Sequence, residues 1–86
     1  MFNEKFNPTP VIIEWFDINA SDGGWHSEED IKKHQTAKCT DLCFIYSQND
    51  ERVITFSSYN LHDDGSVEYG FLTAIPTGCI RKITKL

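Results

Sequence analysis

No run of 18 apolar residues occurs in this chain, and its start, MFNEKFNPTP, lacks the basic and then apolar stretch of a leader. Neither a membrane-crossing helix nor a secretory signal is expected. Basic residues are scarce as well: eight Lys and Arg stand against 13 Asp and Glu, for a net charge of −5. A general grip on nucleic acid needs cations that displace phosphate counterions, so direct nucleic-acid binding is not expected, and the acidity favours a basic partner. Cysteine is sparse and odd in number. Cys39, Cys43 and Cys79 read as free thiols of a reducing compartment, not as a disulfide framework. No glycine-rich phosphate loop is present, because Gly23-Gly24 lacks the lysine and the helix that would follow. His26, His34 and His62 fall in polar segments with nothing to order them as a base beside a nucleophile, so the chain is not expected to be an enzyme.

What is present is enough for one core. Eighty-six residues make a single domain, expected over 11–86 behind a flexible tail over 1–10 that ends at Pro8 and Pro10. A chain this short buries only roughly 60–65% of its unfolded surface, which raises the expectation of a homo-oligomer. Residues 11–18 (VIIEWFDI) are rich in β-branched and aromatic side chains and predict a first strand. The cluster Asn19, Ser21, Asp22, Gly23 and Gly24 predicts a loop. Ser27 before Glu28, Glu29 and Asp30, with Lys32 and Lys33 behind, predicts a capped surface helix of about two turns. Residues 41–46 and 52–59 predict an antiparallel hairpin with a loop of about four or five residues. A turn at 62–66 (HDDGS) leads to a strand over 67–75, with Val67, Tyr69, Phe71, Thr73 and Ile75 on one face. Pro76, Thr77 and Gly78 turn the chain into a last short strand carrying Ile80, Ile83 and Leu86.

The order strand, long loop, hairpin, strand, proline turn, strand, most visible from Ile75-Pro76 to Ile80, resembles the Src-homology-3-like barrel. The expected fold is therefore mainly β: a small antiparallel barrel of about five strands with one short helix in the first long loop. Cys79 stands where the peptide-binding members of that family have a tyrosine, and the paired tyrosines of their first strand are absent, so a proline-rich peptide is not the expected ligand. Trp15 with Asp17, the loop ending at Gly24-Trp25, the segment Leu42 to Tyr46 and the ending Ile75-Pro76 to Leu86 also look like a group of small proteins encoded by tailed bacteriophages. That resemblance implies a setting, the host cytoplasm, where such proteins act on host proteins or on the signalling nucleotides of antiviral defence.

Three constellations could carry a function. The first is the loop from Asp17 to His26. Trp15, mid-strand, is expected in the core, whereas Trp25 follows two glycines and either folds back as a lid, the favoured expectation, or anchors a partner. Asp17, Asp22, Trp25 and His26 are the predicted partner-binding residues of a non-catalytic protein that interferes with a host component. The second is a nucleotide site in an oligomeric sponge, with Tyr46 and Tyr59 as stacking faces and Arg52 and Arg81 as phosphate ligands; Tyr46 and Tyr69 as plain barrel wall is the competing expectation. The third is a small zinc-binding or structural accessory protein, suggested by HQTAKCTDLC. Its spacing permits a zinc site, but Cys43 among Leu42, Phe44 and Ile45 reads better as a small hydrophobe, so neither metal nor cofactor is predicted.

Overall fold

The computed structural model describes residues 6–86. Seven strands are present among them: β1 (Pro10–Asp17), β2 (Ala37–Gln48), β3 (Arg52–Phe56), β4 (Ser58–Leu61), β5 (Val67–Gly70), β6 (Thr73–Pro76) and β7 (Ile80–Lys85). A six-residue helix α1 (Glu28–Lys33) precedes β2, and a 3-10 turn η1 (Thr77–Cys79) precedes β7. The main sheet is antiparallel throughout, in the order β6-β3-β2-β1-β7, and β4 and β5 form a separate two-stranded ribbon. The expectation of a mainly β chain with one short helix in the first long loop therefore holds. The sheet is open, with β6 and β7 as its free edges. No helix among the described residues is long and apolar enough to cross a membrane.

All five strands of the main sheet feed one core. Val11 and Ile13 of β1, Cys43 of β2, Val53 of β3 and Ile75 of β6 are buried together, with Trp15, Ile45, Cys79, Ile80 and Ile83 packed around them. The alternation of a pleated strand places them: Val11 lies opposite Cys43, Ile13 opposite Ile83, and Val53 opposite Ile75. Thr55 shares that inner face, and its hydroxyl donates to the Thr73 carbonyl at 3.5 Å.

Two irregularities adjust the pleat. The β2–β3 register slips between Ile45 and Ser47, which leaves Tyr46 as an extra residue, and the β1–β7 register slips so that Arg81 is extra. Bulges of this kind bend a strand and re-aim the extra side chain.

Several local predictions match. Ser27 caps α1: the Asp30 amide donates to Ser27 Oγ at 3.2 Å, and the Ser27 amide donates to Asp30 Oδ2 at 3.4 Å, a reciprocal capping box. The helix buries none of its residues, as its thin apolar face foretold. The turn at 62–66 has Gly65 at φ +89, where a side chain would be strained. Ser66 donates to Asp64 Oδ1 through both amide and hydroxyl, which holds the Asp64 carboxyl below the usual carboxylate range.

Three expectations are corrected. The hairpin joins β2 to β3 through residues 49–51 only, because the Asn49 side chain accepts from the amides of Glu51 and Arg52 and closes a tighter turn. The strand predicted over 52–59 breaks at Ser57, where the chain leaves the sheet for the ribbon. The strand predicted over 67–75 is likewise two, β5 and β6, parted at Phe71. That residue takes a left-handed φ of +57 and is exposed instead of sharing a face with Tyr69 and Thr73. Of the tail predicted over 1–10, residues 1–5 lie outside the described residues. Phe6 packs edge-on to Tyr59 at 4.8 Å between ring centroids, and the Pro10 carbonyl accepts from the Leu86 amide at 3.0 Å.

Candidate functional site

The long loop begins where β1 ends. Asp17, last residue of that strand and paired with Ala37 of β2, turns its carboxylate back to accept from the Ile18 amide at 2.8 Å. The base of the loop is then closed across its two arms. Asn19 Nδ2 donates to the Gln35 carbonyl at 2.9 Å, and His34 Nε2 meets the Asn19 carbonyl. At the tip Gly23 adopts φ +92, and Asp22 Oδ1 accepts from the Gly24 amide at 3.3 Å, a side-chain turn that only a short acceptor can make. Trp25 follows and is 103% exposed.

Full exposure overturns the expectation that Trp25 folds back as a lid. The described residues around the tip are all exposed, so no apolar surface lies opposite the indole to receive it. Trp15, by contrast, is half-buried against the core as expected. Its Nε1 is buried without a hydrogen-bond partner among the described residues. The arms of the loop and α1 enclose a cleft of about 370 Å³ lined by Ser21, His26, Asp30, Ile31 and His34.

Of the four predicted partner-binding residues, Asp22 and Trp25 share the tip, Asp17 sits at the base and His26 faces the cleft. The surface they belong to is acidic. Asp17, Asp22, Glu28, Glu29 and Asp30 are all exposed, against Lys32 and Lys33 alone. Ile18 and Ile31 add exposed apolar area beside them.

The predicted nucleotide-binding residues are only partly gathered. Tyr59 lies directly opposite Tyr69 in the ribbon, and Tyr46 meets Tyr69 edge-on at 5.2 Å, so the tyrosines converge. The two arginines do not join them. Arg52 is on β3, 3.8 Å from Glu51, and Arg81 is on β7, 3.3 Å from Glu14, with β2 and β1 between the two strands. Both ion pairs are solvent-exposed and contribute little to stability. Arg81 borders a cleft of about 330 Å³ shared with Glu14, Trp15, Lys38 and Cys39.

The sequence reading missed an aromatic layer on the reverse of the sheet. Phe44 stacks on Phe56 with centroids 5.2 Å apart, and Tyr59 and Tyr69 stand edge-on to Phe56 at 6.2 and 4.8 Å. Phe6 covers both tyrosines. One signal was available: with a three-residue turn, Phe44 and Phe56 fall opposite one another across the hairpin. No signal marked Phe6, which Asn7, Pro8 and Thr9 separate from the first strand.

Among the described residues no group of three His, Cys, Asp or Glu side chains is placed to hold a metal ion. Cys43 is buried inside the sheet, and that burial pushes its thiol up from the ordinary value, with Asp41 adding to the shift and the Thr55 hydroxyl opposing it. Iodoacetamide at pH 8 should modify the half-buried Cys39 and Cys79 well before Cys43, read by peptide mass mapping; equal rates at all three would contradict the sheltered thiol. The raised value also sets a pH dependence. Above the ordinary thiol range the unfolded chain releases this proton before the folded chain does, so this contribution to stability is complete below that range and falls as pH rises.

Comparison with family models, with curated proteins and with solved structures finds no match for this chain.

Proposed function

We propose that the chain is a non-catalytic binding module that holds a host protein of basic surface through Trp25 and the acidic loop around it. The observation that carries this reading is the indole of Trp25, left wholly in water at the tip of a loop whose base is fixed by Asn19, His34 and Gln35. A ring in that position adds nothing to the chain's own packing, and tryptophan is the side chain most enriched among binding hot spots. The surrounding carboxylates supply complementarity and steering toward a basic partner. The wider setting, a phage protein acting in the host cytoplasm on a component of antiviral defence, rests on the resemblance carried by Trp15, Asp17, Gly24-Trp25 and Ile75-Pro76. A Src-homology-3-like layout is supported by the strand order of the main sheet and by η1 between β6 and β7. In such a layout the long first loop is a natural place for binding. A nucleotide sponge has less support, since Arg52 and Arg81 stand apart from the tyrosines.

The test compares wild-type chain and Trp25→Ala against the host polypeptide recovered from lysate, with affinity measured by titration calorimetry. The expected result is an affinity roughly 30-fold lower or worse, with an unchanged melting temperature. A Trp25→Ala chain that keeps its partner at full affinity would sink the reading.

A further inference from the structure

The outer face of the main sheet changes character along its length. Val11 and Ile13 of β1 are buried in the core and Trp15 packs against it, so by alternation Ile12, Glu14 and Phe16 lie on the outer face. Across β2, Ile12 is opposite Leu42, Glu14 opposite Thr40 and Phe16 opposite Lys38; across β7, Glu14 is opposite Lys82. Arg81, the extra residue of the β1–β7 bulge, lies next to that last pair, and its Nη1 donates to Glu14 Oε1 at 3.3 Å. The apolar end of the face at Ile12 and Leu42 thus gives way to Lys38, Arg81 and Lys82, three of the eight Lys and Arg residues, gathered around Glu14. In a chain of net charge −5 this is a local reversal of sign.

The cleft of about 330 Å³ lies in that reversed region, with Glu14, Phe16, Lys38, Thr40 and Arg81 in its lining. Its polar groups are mostly donors. Lys38 and Lys82 make no ion pair among the described residues. Arg81 commits one Nη to Glu14, and a guanidinium carries five N–H donors, so its fork keeps donors for a second oxyanion. The bulge is what gives Arg81 this place, since an extra residue leaves the pleat and has its side chain re-aimed.

We propose that this cleft binds a phosphate monoester, with the phosphate met by Arg81, Lys38 and the Thr40 hydroxyl and the organic part laid on the half-buried ring of Phe16. The charge count selects phosphate over a carboxylate. Glu14 offsets one of three cations, and the two that remain match a group carrying roughly −1.5 to −2 near pH 7. The volume selects a monoester over free phosphate, because the cleft is of small-molecule size and exceeds what one phosphate group fills. Glu14 tethers the guanidinium at the cleft, and as an exposed ion pair it releases Arg81 to a ligand at small cost. The site shares no residue with the loop that carries Trp25, and it calls on neither Arg52 nor the tyrosines.

Titration of the wild-type chain at low salt with adenosine 5′-monophosphate, ribose 5-phosphate, inorganic phosphate and adenosine, followed by amide NMR shifts, tests the proposal. Both monoesters are expected to bind with a Kd of about 1 mM or below and to shift the amides of Phe16, Lys38 and Arg81, and adenosine is expected not to bind. Tighter binding of the nucleotide than of the sugar phosphate would support a nucleotide as the source of the phosphate, and equal binding a sugar phosphate. Arg81→Gln and Lys38→Gln, both at exposed positions, should each weaken binding by roughly 10-fold while keeping the far-ultraviolet circular dichroism of the folded chain. Arg52→Gln and Trp25→Ala should leave it unchanged. No saturable binding of either monoester, or binding indifferent to both cleft variants, would overturn the proposal. Inorganic phosphate bound as tightly as the monoesters, or an equal loss in Arg52→Gln, would overturn it as well, since either would reduce the site to unspecific attraction of an anion.

Discussion

Phe56→Ala should lower the free energy of unfolding by about 3–5 kcal/mol, as measured from urea transitions. Phe56 is 1% exposed and ends β3 at the point where the chain turns away into the ribbon. Its ring is the floor on which Phe44, Tyr59 and Tyr69 rest. Truncation leaves a cavity that those rings cannot fill without moving the ribbon, so the loss has two parts. One is the transfer of the phenyl group, and the other is the seat of β4 and β5. Phe56→Leu restores most of the volume and should cost less than about 1.5 kcal/mol. The two variants also differ spectroscopically: Phe56→Ala should strip near-ultraviolet dichroism from the tyrosines, and Phe56→Leu should keep most of it. A change below about 1 kcal/mol for Phe56→Ala would mean that the ribbon is not docked on the sheet.

The second large effect is expected at Ile13, where Ile13→Ala should cost about 2–5 kcal/mol. Ile13 is 0% exposed and sits on one of the three strands flanked on both sides, opposite Asp41 of β2 and Ile83 of β7. A hole there opens the centre of the sheet instead of its rim, and the neighbouring β-branched side chains have little rotamer freedom with which to close it. Ile12→Ala is the matched control. It removes the same atoms one residue away, on the outer face beside exposed Leu42, and should cost distinctly less. Comparable losses at Ile12 and Ile13 would mean that the alternation of inner and outer faces along β1 is misassigned.

What could be read from the sequence was local. The capping box at Ser27 and Asp30, the turn closed by Asp64 and Gly65, and the β character of the segments around Ile13 and Phe44 each depend on a few adjacent residues. Breaks in strands were less legible. Nothing in VEYGFLTAI marks Phe71 as left-handed, because a phenylalanine takes that conformation only where tertiary contacts on either side impose it. The break at Ser57 depends likewise on Phe56 being drawn under the tyrosines. The candidate loop was visible through its glycines and its tryptophan, but the posture of Trp25 depended on whether a distant apolar surface lay opposite, which composition does not reveal. Tyr46 and Arg81 were singled out for their chemistry alone, and the bulges that set them apart from their strands follow from register, a property of pairs of segments and not of either one.

The pairing of β1 with both β2 and β7 has a kinetic side. The strand made first stays half-bonded until a strand some seventy positions later in the chain has been translated and has crossed to meet it. Until then Val11 and Ile13 lack part of their cover, and the open flank of β1 is an unpaired edge of apolar residues. Closing so long a loop before any contact rewards it makes for a slow final step, in the range of milliseconds to seconds for sheets dominated by distant pairings. During that interval the nascent chain is most exposed to wrong pairings, and the interval ends when β7 covers β1 and makes Arg81, Lys82 and Lys85 part of the new edge.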